Sequence, residues 1–263
     1  MPEMGYCTEL RETLHKRHEV LAALATEPQT KPQLVETVGP SRSTIDRAIS
    51  ALEDADCIER INSNYHLTPV GRISHTEHER YIKTMDGVSK GKDVLNALSD
   101  EAPIDPTFLN GVDVQTANPH VPESALQSSI THLESTDRLV GLAPVVLSLY
   151  TDTLTDLVKN NGLQTEIVLH ESTFNSLLGY YKDRFSAMGV TDHFTFYVTE
   201  HDLPYALWIM ERDEHPLAGI TIHEKGGVRG VLMNDSPDAV AWARKEYEQY
   251  RDQAGRVTVD LPQ

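Results

Sequence analysis

The sequence predicts an α+β/α/β chain: an N-terminal winged helix-turn-helix, a connector helix, and a C-terminal α/β domain with a mixed sheet. Three observations predict it. Residues 30–67 run helix, glycine turn, helix and hairpin in that order. Prolines gather between Asp100 and Pro122, where helical periodicity lapses. Beyond them, strand-like and helix-like segments first alternate and then give way to consecutive strands. At 263 residues the chain is long enough for two domains and a sizeable core. The expected divisions are 1–72 for the winged domain, 73–103 for the connector and linker, and 104–263 for the α/β domain.

A first helix is expected over about Thr8–Thr26, with Leu10, Leu14, His18, Leu21 and Ala25 on one side and Glu27-Pro28 ending it. Thr30 caps a second helix, and Gln33 completes a capping box. Leu34, Val35 and Val38 form its apolar side. Gly39-Pro40 stops it, since glycine suits a left-handed cap and proline cannot continue a helix. A third helix opens at Ser41. Ile45, Ala48, Ile49 and Leu52 recur at i, i+3, i+4 and i+7, which buries one stripe. At about 100° per residue the opposite face carries Ser43, Arg47 and Ser50, with Arg42 and Thr44 flanking the first turn. Residues 57–61 and 65–67 read as strands around the turn Asn62-Ser63-Asn64. Thr68 caps a new helix with Pro69 at its first position. This order resembles the winged helix-turn-helix regulators, in which L-T-x-x-G-R, here Leu67 to Arg72, often closes the wing. It also suits a three-helix module that makes only protein contacts.

The connector is expected to be helical from Pro69 to about Ser99, interrupted at Gly87 and Gly91. In the regulators it resembles, this segment often carries a dimer contact. His75 and His78 fall at i, i+3 beside Glu77 and Glu79, a spacing that serves a helical metal pair. Solvated histidines show the same spacing, and no metal is assigned.

A formal net charge of -17 is extreme for a chain meant to meet phosphates. The acidity is spread along the chain, since residues 1–68 hold 7 Lys+Arg against 11 Asp+Glu. That pattern fits a halophilic archaeal cytoplasm, because at ~1 M salt the Debye length is only about 3 Å and local contacts decide binding. No Asp or Glu occurs from Arg60 to Thr76, the wing segment. Cys7 and Cys57 form no C-x-x-C pair, which excludes a thiolate zinc site and a disulfide framework. No run approaches ~20 apolar residues and no signal-peptide core is present, so a soluble cytoplasmic protein without a membrane partner is expected.

In the second half, residues 112–116 read as a strand, 122–134 as a helix, 138–142 as a buried strand and 144–160 as a helix. Residues 165–169 read as another strand, followed by a helix through Tyr180 to Met188. Four strands then follow at 194–199, 206–210, 217–223 and 228–233, the last two joined by Lys225-Gly226-Gly227. Ser236-Pro237-Asp238 opens a final helix bearing Trp242, Tyr247 and Tyr250. Four segments resemble the effector domain of an archaeal regulator family first named for methanogenesis regulation. They are Gly141–Val145, Gly162–Leu169, Leu203–Leu207, and Asn234-Asp235-Ser236 leading to Ala239, Trp242, Ala243, Tyr247 and Tyr250. Ala206 departs from it, as the family more often has glycine there. The resemblance implies a transcription regulator with a sensing or dimerising C-terminal half, and supplies no ligand.

His223-Glu224-Lys225 has the H-x-K start of the phospholipase D-type motif H-x-K-x4-D. The aspartate position is Gly230 and no second copy exists, while that chemistry uses two histidines. No enzymatic activity and no cofactor are therefore expected. His170-Glu171, at a strand's carboxyl end, and Asn175 are candidates to line an effector pocket. Tyr180, Tyr205 and Trp208 are the aromatic candidates for an apolar effector, with core packing as their alternative. For double-stranded DNA, Ser41, Arg42, Ser43, Thr44, Arg47 and Ser50 are expected at the major groove. Thr30, Lys31, Asn62, Ser63 and Asn64 are expected to position the module on phosphates and the adjacent groove. The alternatives are a phosphodiesterase-type enzyme, active or degenerate, and a dimeric ligand-binding adaptor that never touches DNA.

Overall fold

The computed structural model describes residues 3–39, 41–100, 102–118, 120–180, 193–212, 215–224 and 227–257. The chain divides into two compact units, Met1–Ile82 and Lys83–Gln263.

The first unit holds α1 (Glu3–Thr26), β1 (Gln29–Thr30), α2 (Lys31–Val38), α3 (Arg42–Asp54), β2 (Ile58–Ile61), β3 (Asn64–Leu67) and the start of α4 (Pro69–Leu95). Its core is Leu14, Leu21, Leu24, Leu34, Ile45, Ile49, Leu52, Cys57, Ile58 and Leu67 with their neighbours. The expected α1 stripe holds at Leu14 and Leu21 but not at Ala25, which is exposed. The helix is kinked at Arg17 (φ -124, ψ 15), so beyond it Val20, Ala23 and Leu24 share the buried side. The short β1 has no periodicity to announce it. It closes a three-stranded sheet in the order β1-β3-β2 by pairing Gln29 with Tyr65 and Thr30 with Asn64. Thr68 caps α4 by accepting from the Gly71 amide at 2.9 Å while its hydroxyl donates to the Asp56 carbonyl at 2.6 Å. A Cβ on Gly71 would lie 1.8 Å from the Cys57 carbonyl oxygen, so only glycine lets α4 start against β2.

One expectation needs correction in α4. The helix runs unbroken through Gly87 and Gly91. Gly87 serves close packing instead: a Cβ there would sit 2.1 Å from the Leu109 carbonyl oxygen.

The second unit continues with α5 (Pro106–Leu109), β4 (Asp113–Thr116), a 3-10 turn (Pro122–Leu126), α6 (Gln127–Leu133), β5 (Arg138–Ala143), α7 (Ser148–Asn161), β6 (Gln164–His170) and α8 (Glu171–Tyr180). Then come β7 (Phe194–Thr199), β8 (Ala206–Glu211), β9 (Leu217–Glu224), β10 (Gly227–Asn234), a last helix α9 (Pro237–Asp252) and β11 (Gly255–Val257). The expected helix beyond Tyr180 to Met188 lies outside the described residues. The eight strands form one mixed sheet in the order β11-β7-β6-β5-β8-β9-β10-β4. β5, β6 and β7 run parallel and the other pairs antiparallel.

Strand alternation sorts the side chains between two faces. Leu207 and Ile209 join Phe108, Ala239, Val240, Ala243 and Tyr247 beneath α5 and α9. Trp208 and Met210 face the other way, toward Leu126, Leu133 and Val158 from the 3-10 turn, α6 and α7. On the first face, Arg138 meets Glu166 at 2.6 Å and Glu211 at 3.4 Å, and Arg244 of α9 meets Glu211 at 2.6 Å. Burial works against the Glu211 charge, but the Arg244 hydrogen bond and both guanidiniums outweigh it and hold its carboxyl below the ordinary range.

Candidate functional site

Gly39 stands in the left-handed region (φ 79) and its amide donates to the Val35 carbonyl at 3.1 Å, closing α2. Ser41 is the N-cap of α3, its hydroxyl in contact with those of Ser43 and Thr44 at 3.0 Å each. With Ile45, Ala48, Ile49 and Leu52 buried, the outward side of α3 presents Arg42, Ser43, Asp46, Arg47 and Ser50, and Thr44 is half-buried. Arg47 lies back along its own helix, Nε donating to the Ser43 carbonyl at 3.2 Å. That single exposed contact leaves the guanidinium able to swing outward.

The expected phosphate contacts are rearranged. The Thr30 amide and hydroxyl both donate to Gln33 Oε1, at 2.8 and 2.7 Å, which fixes the start of α2. Lys31 is not a free cation: its Nζ lies 2.8 Å from Asp46 Oδ1 on α3. This pair ties α2 to α3 and cancels the single negative charge on the outward side of α3 before Glu53. The Asp46 hydrogen bond also raises the Lys31 pKa, so the ammonium stays charged.

The hairpin turn is tighter than expected. Asn62 takes a left-handed conformation (φ 56), which asparagine tolerates, and Asn64 is the first residue of β3, paired with Ile61. Asn62, Ser63 and Asn64 are all exposed. Arg60 donates to the Asn62 carbonyl at 3.2 Å and stands 5.9 Å above the Tyr65 ring, so it braces the hairpin tip.

His78 of α4 stacks near His15 and His18 of α1, with ring centroids 6.1 and 6.5 Å away. Among the described residues no group of three or more His, Cys, Asp or Glu is arranged to hold a metal. Burial, and then the neighbouring His15 and His18, depress the His78 pKa.

The C-terminal candidates are dispersed. Glu171 and Asn175 are exposed on α8. His170 bonds locally, Nδ1 to Ser172 Oγ at 2.8 Å. The Tyr180 side chain lies outside the described residues. Tyr205 belongs to the core under α9, its hydroxyl 3.3 Å from the Pro103 carbonyl and 3.4 Å from Glu246 Oε1. Trp208 is on the opposite face of the sheet, so these two aromatics cannot line one pocket. What the sheet does build, on the Trp208 face, is a cavity of about 120 Å³ beneath α7 and α8. Small residues make its room: Gly141 and Ala206 on the floor, with Ile167, Leu169, Phe196 and Leu154 as apolar walls. Thr221 and His223 of β9 and Tyr150 and Thr151 of α7 are polar residues of its lining. Of the five expected effector residues whose side chains are described, only Trp208 lines it. The alternation Gly219, Thr221, His223 was the readable signal for that face.

Two family descriptions match the sequence. "Methanogenesis regulatory protein FilR1, middle domain" matches residues 122–253, and "HVO_A0261 N-terminal domain" matches residues 8–90. The first covers half of the chain. The protein belongs to the FilR1 middle-domain family. Within that family match, the four segments that carried the resemblance lie on β5, β6, β8 and α9, and Ala206 occupies the cavity floor. No protein of curated function matches the sequence. Among solved structures, the archaeal chromatin protein TrmBL2 is similar over 92% of this chain and 94% of its own, at 12% identity and a TM-score of 0.42. NucT from Helicobacter pylori is similar over 54% of this chain and 96% of its own, at 14% identity and 0.41. The phospholipase D family member Nuc from Salmonella typhimurium is similar over 56% and 99%, at 13% identity and 0.41. The FilR1-type domain here has Gly230 where the H-x-K-x4-D motif needs aspartate. A Cβ at that position would sit 2.6 Å from Val94 Cγ2 and 2.8 Å from the Gln115 carbonyl oxygen, leaving an aspartate no space. Lys225 of the motif lies outside the described residues. Among the described residues, no helix is long and apolar enough to cross a membrane.

Proposed function

We propose that this chain is a sequence-specific, DNA-binding transcription regulator of the FilR1 type, not an enzyme, in which the N-terminal unit acts as a winged helix-turn-helix. The carrying observation is the outward side of α3: Arg42, Ser43, Arg47 and Ser50 exposed above a fully buried stripe, with Asp46 neutralised by Lys31. Arginine is the residue that pairs bidentately with guanine O6 and N7, and small hydroxyl residues between two arginines let a helix seat deeply in the major groove. The hairpin beside it offers Arg60 and no acid up to Thr76, which suits a wing tracking phosphates. The matched family, named for a regulatory protein, agrees with this reading.

Arg47→Ala is expected to weaken specific binding by about 1–3 kcal/mol in a gel-shift series run in molar KCl. No loss on replacing Arg42 and Arg47 together would refute the docking. The reading includes a homodimer, supported by exposed apolar groups on one side of α4: Val70, Ile73 (68% exposed) and Tyr81 (62% exposed). Uncovered side chains of that size at helical spacing suit a second copy. Light scattering that gives a monomer mass at micromolar concentration would remove this part. The C-terminal unit is assigned the sensing role. A cytoplasm of high salt accords with the charge of -17.

A further inference from the structure

The cavity under α7 and α8 is lined mostly by apolar side chains with a few polar ones among them, and one of the polar ones has an unpaired atom. Its floor is the open face of β5, β6, β7, β8 and β9, and its roof is Tyr150 and Leu154 of α7 with Leu177 of α8. Most polar groups there are already satisfied. Trp208 Nε1 donates to Thr221 Oγ1 at 3.2 Å, and the Tyr150 hydroxyl is held at 2.5 Å by Ser129 Oγ, which itself donates to the Leu126 carbonyl. His223 is different. Its Nδ1 is closed to solvent and has no hydrogen-bond partner among the described residues. The ring is desolvated, which favours the neutral form, while a hydrogen bond to the Gly227 backbone favours the protonated one. Nδ1 is thus an unpaired polar atom on a residue that lines an apolar chamber. A buried polar atom left without a partner costs free energy that a ligand's polar group restores.

We propose that this cavity binds a small uncharged molecule, one ring in size, whose single hydroxyl or N–H hydrogen-bonds to His223 Nδ1 while its apolar body fills the space between Gly141, Ala206 and Leu154. Size and polarity both come from the site. About 120 Å³ is near the volume at which an apolar protein cavity takes up a benzene-sized guest. None of the described lining residues is a lysine, an arginine or a carboxylate, which excludes an ionised ligand. The proposal rests on the sensing role given to the C-terminal unit, and it needs no DNA.

The test is calorimetric titration of the full chain with phenol and with toluene, near-isosteres that differ in the donor. Phenol should bind saturably at one per chain and toluene about tenfold more weakly. In His223→Phe the two should bind alike, and Ala206→Leu, which fills the floor, should bind neither while still melting cooperatively. Should Ala206→Leu fail to fold, the His223→Phe comparison alone decides. Equal affinity for phenol and toluene in the wild type, or a preference that survives in His223→Phe, overturns the assignment to His223 and leaves a sensing cavity. No saturable binding of either probe overturns both.

Discussion

Asp46→Asn offers the sharpest perturbation of the proposed DNA face. Lys31 Nζ and Asp46 Oδ1 are 2.8 Å apart on side chains 34% and 48% exposed, so the ion pair is a surface contact that water and partner phosphates can reach. In the wild type the two charges cancel each other toward DNA. Asparagine removes the negative charge and no longer holds the ammonium, which becomes free to neutralise one phosphate. Each phosphate neutralised contributes about -0.9 to the slope of log K against log salt. The slope should therefore steepen by about 0.9, with the affinity gain largest at the low-salt end. Fluorescence anisotropy with a labelled random-sequence duplex, read over a decade of KCl concentration, measures it without knowledge of the operator. The double variant Lys31→Ala, Asp46→Asn should return to the wild-type slope. A slope unchanged in Asp46→Asn, or a steepening that persists in the double variant, refutes the reasoning.

Two further outcomes are expected. In Gly219→Ala a Cβ would meet the Trp208 ring at 2.0–2.3 Å, so overpacking should cost about 1–3 kcal/mol and shift the Trp208 emission. An unchanged melt and spectrum would show that the indole does not lie across β9. The melting temperature should also fall as pH drops through about 6.5, the unfolded histidine value. Burial and the nearby His15 and His18 keep the folded His78 pKa below that value, so the unfolded chain takes up protons first; the stability is complete above it and is lost progressively below it. His223 and His132 are depressed by burial too and act in the same direction. His78→Asn should flatten the dependence between about pH 7 and pH 5.5, and an identical profile in that variant would exclude His78 as a contributor.

The parts legible in the sequence are those in which one short segment carries its own evidence. Ile45, Ala48, Ile49 and Leu52 announce α3 because a helix with one buried side must repeat at 3.6 residues, and all four are buried. Thr68-Pro69 announces the start of α4 through local cap chemistry. Features that depend on contacts between distant segments stay hidden. Gly87 reads equally as a helix break and as a close-packing site, and only the proximity of Leu109 decides for the second. The Lys31–Asp46 pair depends on how α2 crosses α3. Arg17 carries no breaker signal, so the kink and the outward turn of Ala25 could not be anticipated. The C-terminal cavity is hidden in the sequence for a related reason. Tyr205, just before β8, and Trp208, within it, are close in sequence but face opposite sides of the sheet, whereas Ala206, Thr221 and His223 share a face only because β9 lies beside β8.

The acidity of the chain and its proposed docking on DNA act over different distances, which separates their kinetic effects. A formal charge of -17 repels a duplex at long range when salt is dilute and the Debye length is about 10 Å or more. Raising the salt removes this repulsion and should speed encounter, the reverse of the usual dependence for a basic DNA-binding protein. Contact strength follows the usual direction, because Arg42 and Arg47 still displace counterions where they touch the duplex. Between Ser41 and Leu52 the sole acidic residue is Asp46, and its partner at 2.8 Å is inside the screening length even near 1 M salt, about 3 Å. The docking face thus stays locally cationic under the conditions that silence the rest of the surface. Association should accelerate with salt while dissociation also accelerates, and affinity should peak at intermediate salt instead of falling throughout.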